Sequence, residues 1–213
     1  MDVLRGFSGA EKLAYSSNVW EFILNSETFS LEMFVGCPVE IFSHVGNVLS
    51  AAKEHMNKTI CRHDFQDVLD ESERILRRWD VNASSYPTPN PQWKLLAEAY
   101  RQAGLLRVLR FPNPMEVPCE DPRIQDAVIT ILDISAQIPA ESPFYKRLLF
   151  PLFLAGADTS SPHQKHYVRL CIDAIKSSTG FQHQAMMGLL DKVWTERIEM
   201  TQGWNNVPWM EYV

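Results

Sequence analysis

The sequence has no apolar run approaching the roughly 20 residues that a helix needs to cross a bilayer. Its most apolar stretch is bracketed by Lys146, Arg147 and Asp158 and holds only about ten such residues. A membrane is therefore not expected as a partner. Nor is there a basic cluster, and the net charge is −6. Gripping a phosphate backbone needs a basic patch, so direct nucleic-acid contact by this chain is not expected. The four cysteines (Cys37, Cys61, Cys119, Cys171) lie far apart, with no CxxC pair and no zinc-ligand spacing. They read as free thiols in a reducing compartment, with one long-range disulfide as the alternative. No charged-then-apolar leader precedes residue 30, so secretion is not expected. GxSxG, HExxH, glycine-rich phosphate loops and dinucleotide fingerprints are all missing, so no cofactor is expected and catalysis has no positive signal.

What is present is an ordinary globular balance, 46% apolar and 22% charged, in a chain long enough to bury a sizeable core. Helical spacing recurs along it. A first helix is expected from Glu11 to Asn25, and a second opens at Gly36-Cys37-Pro38 with Ile41, Val45, Val48, Leu49, Ala52 and Met56 at helical spacing. The third, about Asp64 to Trp79, sets Phe65, Val68, Leu69, Ile75, Leu76 and Trp79 against a charged remainder. Prolines at alternate positions in Ser84–Gln92 force extended backbone and make a linker. Asn90 caps the next helix, which runs toward Arg110, and Asp121-Pro122 starts another. Ser161-Pro162-His163-Gln164 has capping-box spacing before a helix stopped by Thr179-Gly180, and the last helix runs from Phe181 to Met200. No alternating strand pattern is convincing. The expected class is all-α, about eight helices in one domain over residues 1–213, with lobes at 10–83 and 91–213 if the linker at 84–91 divides it.

The organising stretch is Ser142 to Ala157, SPFYKRLLFPLFLAGA. A helix that is apolar all round and too short for a bilayer is the buried centre of a helical domain. Pro151 should bend or break it, because proline cannot donate to the preceding turn.

Candidate chemistry is thin. His163 and His166 can share a helix face, with His183 nearby in sequence, but no carboxylate completes a metal pattern. His55 and His63 flank Cys61 across an apparent surface turn, and His44 reads as half-buried against a backbone carbonyl. Asp64, Asp67, Asp70, Glu71 and Glu73 precede Arg74, Arg77 and Arg78 and read as intrahelical pairs. Cys171 lies on an apolar stripe with Val168, Ala174 and Ile175 and reads as core. No metal site is expected. Around the centre, Phe144, Tyr145, Phe150, Phe153, Phe181, Met186, Met187 and Trp194 either fill the core or line an apolar cavity. Phe150, Phe153, Phe181, Met186 and Trp194 are the pocket candidates.

Residues 148–194, LLFPLFLAGADTSSPHQKHYVRLCIDAIKSSTGFQHQAMMGLLDKVW, resemble the fungal-specific transcription factor domain found C-terminal to binuclear zinc clusters of six cysteines. The nearest group carries a W/F-P-L-F-x-A-G segment, here Phe150-Pro151-Leu152-Phe153-Leu154-Ala155-Gly156. A T-G-F stop follows at Thr179-Gly180-Phe181, then L-L-x-x-V-W at Leu189-Leu190-Asp191-Lys192-Val193-Trp194. Upstream, Tyr100 to Leu106, Asp121 to Gln125 and Gly36-Cys37-Pro38 are similar to earlier parts of that domain. The likeness covers most of residues 30–209 and resembles the C-terminal half of the regulatory region. Two features depart from the family: the six-cysteine basic segment is not here, and fewer helices precede Leu13. The resemblance implies the regulatory part of a nuclear transcription factor, with DNA contact left to other polypeptide. It also implies an apolar small-molecule effector, a homodimer or a co-regulator protein as partner. The rival reading is the same scaffold reused as an enzyme or binding protein for an apolar metabolite, with His166, Tyr167 or Asp158 as its polar groups.

Overall fold

The computed structural model describes residues 36–111, 117–179 and 184–199. Among these there is no strand, and the all-α expectation holds. The elements are α1 (Val39–Met56), α2 (Arg62–Arg78), α3 (Gln92–Leu109), α4 (Pro122–Gln137), a 3-10 turn (Tyr145–Leu148), α5 (Leu149–Asp158), α6 (Pro162–Thr179) and α7 (Gln184–Glu199). The helix expected at Glu11–Asn25 lies outside the described residues.

Local chemistry explains where the helices start. Asp121 accepts the Arg123 amide at 2.9 Å, with Pro122 in a position that needs no donor. Asn90 accepts the Gln92 amide at 2.9 Å and opens α3. At α2 the capping box uses sulfur where a hydroxyl is usual. The Cys61 thiol accepts the Asp64 amide at 3.4 Å while the Asp64 carboxylate accepts the Cys61 amide at 3.2 Å. This moves the start of α2 ahead of the expected Asp64. The acidic run is a solvated face, with Glu73 paired to Arg77 at 2.8 Å and Glu71 to Arg74. All four cysteines are free thiols, and only Cys61 is exposed.

Two helices share the centre. α5 packs against α3, α4, α6 and α7, and every residue from Pro151 to Asp158 is buried. α3 joins that group to α1 and α2, and every residue from Ala103 to Leu109 is buried. Seven consecutive buried residues leave no solvent face, which is why α3 shows so little amphipathic pattern. The apolar core runs unbroken from Cys37 through Leu76, Leu96 and Leu152 to Trp194. The proline-rich connection before α3 is tied back to its neighbours, Tyr86 donating to the Val81 carbonyl at 2.6 Å and Trp93 to Thr88 at 2.8 Å. Gly36 accounts for the glycine in its Gly-Cys-Pro opening. Its φ is +84°, and a Cβ there would sit 2.0 Å from Leu96 Cδ2.

Pro151 does not split the central helix. The expected helix over 142–157 begins instead at Leu149, so the proline sits in the first turn, where its missing donor costs nothing. Ser142 to Phe144 form turns, and the Ser142 hydroxyl accepts the Phe144 amide at 3.2 Å.

His44 on α1 is half-buried against α2. Burial holds its imidazole below the ordinary range, against the opposing pull of Glu71 and Glu40. The unfolded chain therefore binds that proton more readily than the folded one. Stability is complete above the ordinary imidazole range and declines as pH falls through it. Wild type should lose more melting temperature between pH 7.5 and 5.5 than His44→Gln does. Parallel pH profiles for the two proteins would remove His44 from the explanation.

Candidate functional site

The residues with structural and chemical weight gather at the two ends of α5. At its N-terminal end, Pro151 has no amide to offer the Arg147 carbonyl four residues back. That carbonyl accepts the hydroxyl of Tyr100, from α3, at 3.1 Å. Tyr100 is enclosed, and burial raises its phenol well above the usual value, so it stays a donor. The Arg147 guanidinium lies 5.1 Å from the Trp93 ring and 5.2 Å from the Phe144 ring, which meet edge-on at 4.8 Å. Backbone and side chain of one residue thus fix the approach to α5. Tyr100→Phe leaves the packing intact but withdraws the buried donor, and should cost about 1–2 kcal/mol. Chemical denaturation would measure this, and an unchanged midpoint would contradict it.

At the C-terminal end, Gly156 is the point of closest approach. A Cβ built there would lie 2.8 Å from Val168 of α6 and 3.3 Å from Leu190 of α7. Its carbonyl belongs to the last turn of α5, where no helical amide follows, and the Trp194 indole donates to it at 2.9 Å. Lys165 and Arg169 of α6 lie 5.8 and 5.6 Å from the Trp194 ring, and Arg169 also pairs with Asp191 at 2.5 Å. Beside this contact is a buried ion pair. Arg110 and Asp158 are 2% and 1% exposed, and Arg110 donates to Asp158 Oδ1 through Nε at 3.0 Å and Nη2 at 2.6 Å. The same guanidinium donates to the Val117 carbonyl and to the Cys119 sulfur at 3.4 Å. Burial works against the Arg110 charge, yet Asp158 and Cys119 outweigh it and raise the guanidinium above its ordinary value.

These contacts give a physical account of the segment from Phe150 to Gly156 and of Trp194, far along the chain. The family model of the fungal specific transcription factor domain matches residues 1–213. The chain belongs to that family. Membership carries a regulatory role in transcription factors. No curated protein and no solved structure matches this fungal transcription factor domain.

Among the pocket candidates that fall in the described residues, Phe150 and Trp194 stand at opposite ends of α5. Phe150 is half-buried and stacks on Tyr100 with centroids 6.3 Å apart, at the N-terminal end of α5. Trp194 sits at the opposite end on Gly156. Phe153 is buried between them, Met186 is half-buried against the core, and Phe181 lies outside the described residues. The residues of the catalytic alternative each have other surroundings. Asp158 holds Arg110, the Tyr167 hydroxyl lies 3.1 Å from the Ser135 hydroxyl that donates to it, and His166 is exposed. Burial raises the phenols of Tyr145 and Tyr167, both also bonded to the buried Cys171, so Cys171 belongs to the core as expected. Among the described residues, no group of three or more His, Cys, Asp or Glu could hold a metal ion. His55, one of the pair flanking Cys61, stacks on Phe65 at 5.2 Å, with Nδ1 3.4 Å from the Ile60 carbonyl. No helix among the described residues is long and apolar enough to cross a membrane.

Sequence reasoning passed over Tyr100, Arg110 and Cys119. A signal existed for Arg110: it follows an apolar helix end and lies 48 residues before the acidic stop of the apolar run.

Proposed function

We propose that this domain is the effector-responsive part of a nuclear transcription factor, with DNA contact carried by other polypeptide. The family match over residues 1–213 carries the reading. The net charge of −6 and the dispersed basic residues support leaving DNA to another segment. The effector is a small apolar molecule that enters beside α5, where Phe153, Met186, Met187 and Leu189 offer buried or half-buried apolar surface. By binding one helix packing more tightly than another, such a molecule would shift transcriptional output.

Thermal-shift titration against sterols, fatty acids and related lipids tests the effector, and a reporter driven by the domain fused to an unrelated DNA-binding module tests the output. A stabilising lipid that also changes reporter expression is the expected result. No stabilisation by any apolar class removes the effector, and a silent reporter removes the regulatory reading for this chain. Gel-shift assays of the isolated domain with DNA should show no complex at physiological salt.

A further inference from the structure

α7 packs chiefly on one neighbour, α5, whereas each of the other described helices packs on at least two elements. Among its described side chains only Leu190, Val193 and Trp194 are buried, while Met186, Met187 and Leu189 are half-buried. α3 and α5, by contrast, are enclosed along most of their length. The attachment of α7 is concentrated in a few contacts. Leu190 seats on Gly156, the Trp194 indole donates to the Gly156 carbonyl, and Arg169 reaches both Asp191 and the Trp194 ring. Part of that clasp is wet: the Arg169 and Asp191 side chains are 47% and 50% exposed, so salt screens their attraction. The helix also carries a weak point. Gly188 is exposed, a Cβ built on it would meet nothing within 4 Å, and a glycine in an exposed helix interior lowers intrinsic helicity.

We infer that α7 is a strap over the C-terminal end of α5, releasing as a unit while α3, α4 and α5 stay folded. Local opening follows few packing neighbours and solvated contacts, and both describe α7. Release uncovers Gly156, otherwise covered by Leu190, and frees the Gly156 carbonyl from its indole partner. The strap thus provides two packings of the same chain that differ at one helix. This does not rest on the effector reading; a domain that binds no lipid could still carry it.

Hydrogen–deuterium exchange on the whole chain, at 20 mM and 500 mM salt, tests it. The α7 amides should exchange faster than those of α3, α4 and α5, and faster again at high salt. Gly188→Ala touches nothing and should slow α7 exchange about fivefold through helix propensity alone. Arg169→Ala should speed it about fivefold, the ion pair and ring contact together, while exchange in α3 and α5 stays as in wild type. The inference is overturned if α7 is protected as strongly as α3, or if Arg169→Ala accelerates every helix alike. A Gly188→Ala protein with unchanged α7 exchange also counts against it, and that variant has no reason to misfold.

Discussion

Asp158→Ala should cost about 3–5 kcal/mol and lower the melting temperature by roughly 6–20 °C in a chain of this size. The expectation comes from Arg110, whose guanidinium would stay in the core with its partner gone. The lost attraction matters less than the charge left behind, since an unpaired ion in low dielectric has no water to turn to. The double replacement Arg110→Met with Asp158→Leu separates these effects. It removes both charges, so it should recover most of what Asp158→Ala loses, short of the bonds Arg110 makes to Val117 and Cys119. A double variant as damaged as the single one would show that the pair is not the cause. Thermal and urea melts of the three proteins decide it.

Trp194→Ala is the second large effect, about 3–5 kcal/mol for an emptied indole site. The loss has three parts: buried ring area, the bond to the Gly156 carbonyl, and the surface on which Lys165 and Arg169 lie. Trp194→Phe keeps part of the area and withdraws the donor, so it should cost about 1–2 kcal/mol. The damage should concentrate in α7, with the α3 and α5 amides nearly as protected as before. A Trp194→Ala protein of wild-type stability would mean that the ring fills no real space.

Composition alone placed α5, because ten apolar residues between charges have no other home in a helical domain. Helix starts at Asn90 and Asp121-Pro122 were equally legible, since capping is decided within three residues. The limit came where contacts are remote. Nothing near Gly156 announces that an indole 38 residues later will meet its carbonyl. The second hub, α3, was hidden by its own composition: Arg107, and Arg110 just past its end, look like solvent-facing residues, yet both are buried. Arg107 lies over the Phe111 ring at 4.1 Å, so its cation meets an aromatic face. Pro151 misled for a related reason. Its effect depends on whether a helix already precedes it, and here only a 3-10 turn does. Phe150 and Trp194 share an apolar character but stand at opposite ends of α5, because spacing along a sequence does not say which end a ring will reach.

The Arg110–Asp158 pair has one more consequence, for the order of assembly. Its two members bracket the whole of α4 and stand 48 positions apart in the chain. Neither charge leaves water cheaply on its own, and they cannot meet until α4 has folded back and the chain has returned along α5. The bond therefore closes late, as an inspection of work already finished. Losing it should hasten unfolding far more than it slows refolding.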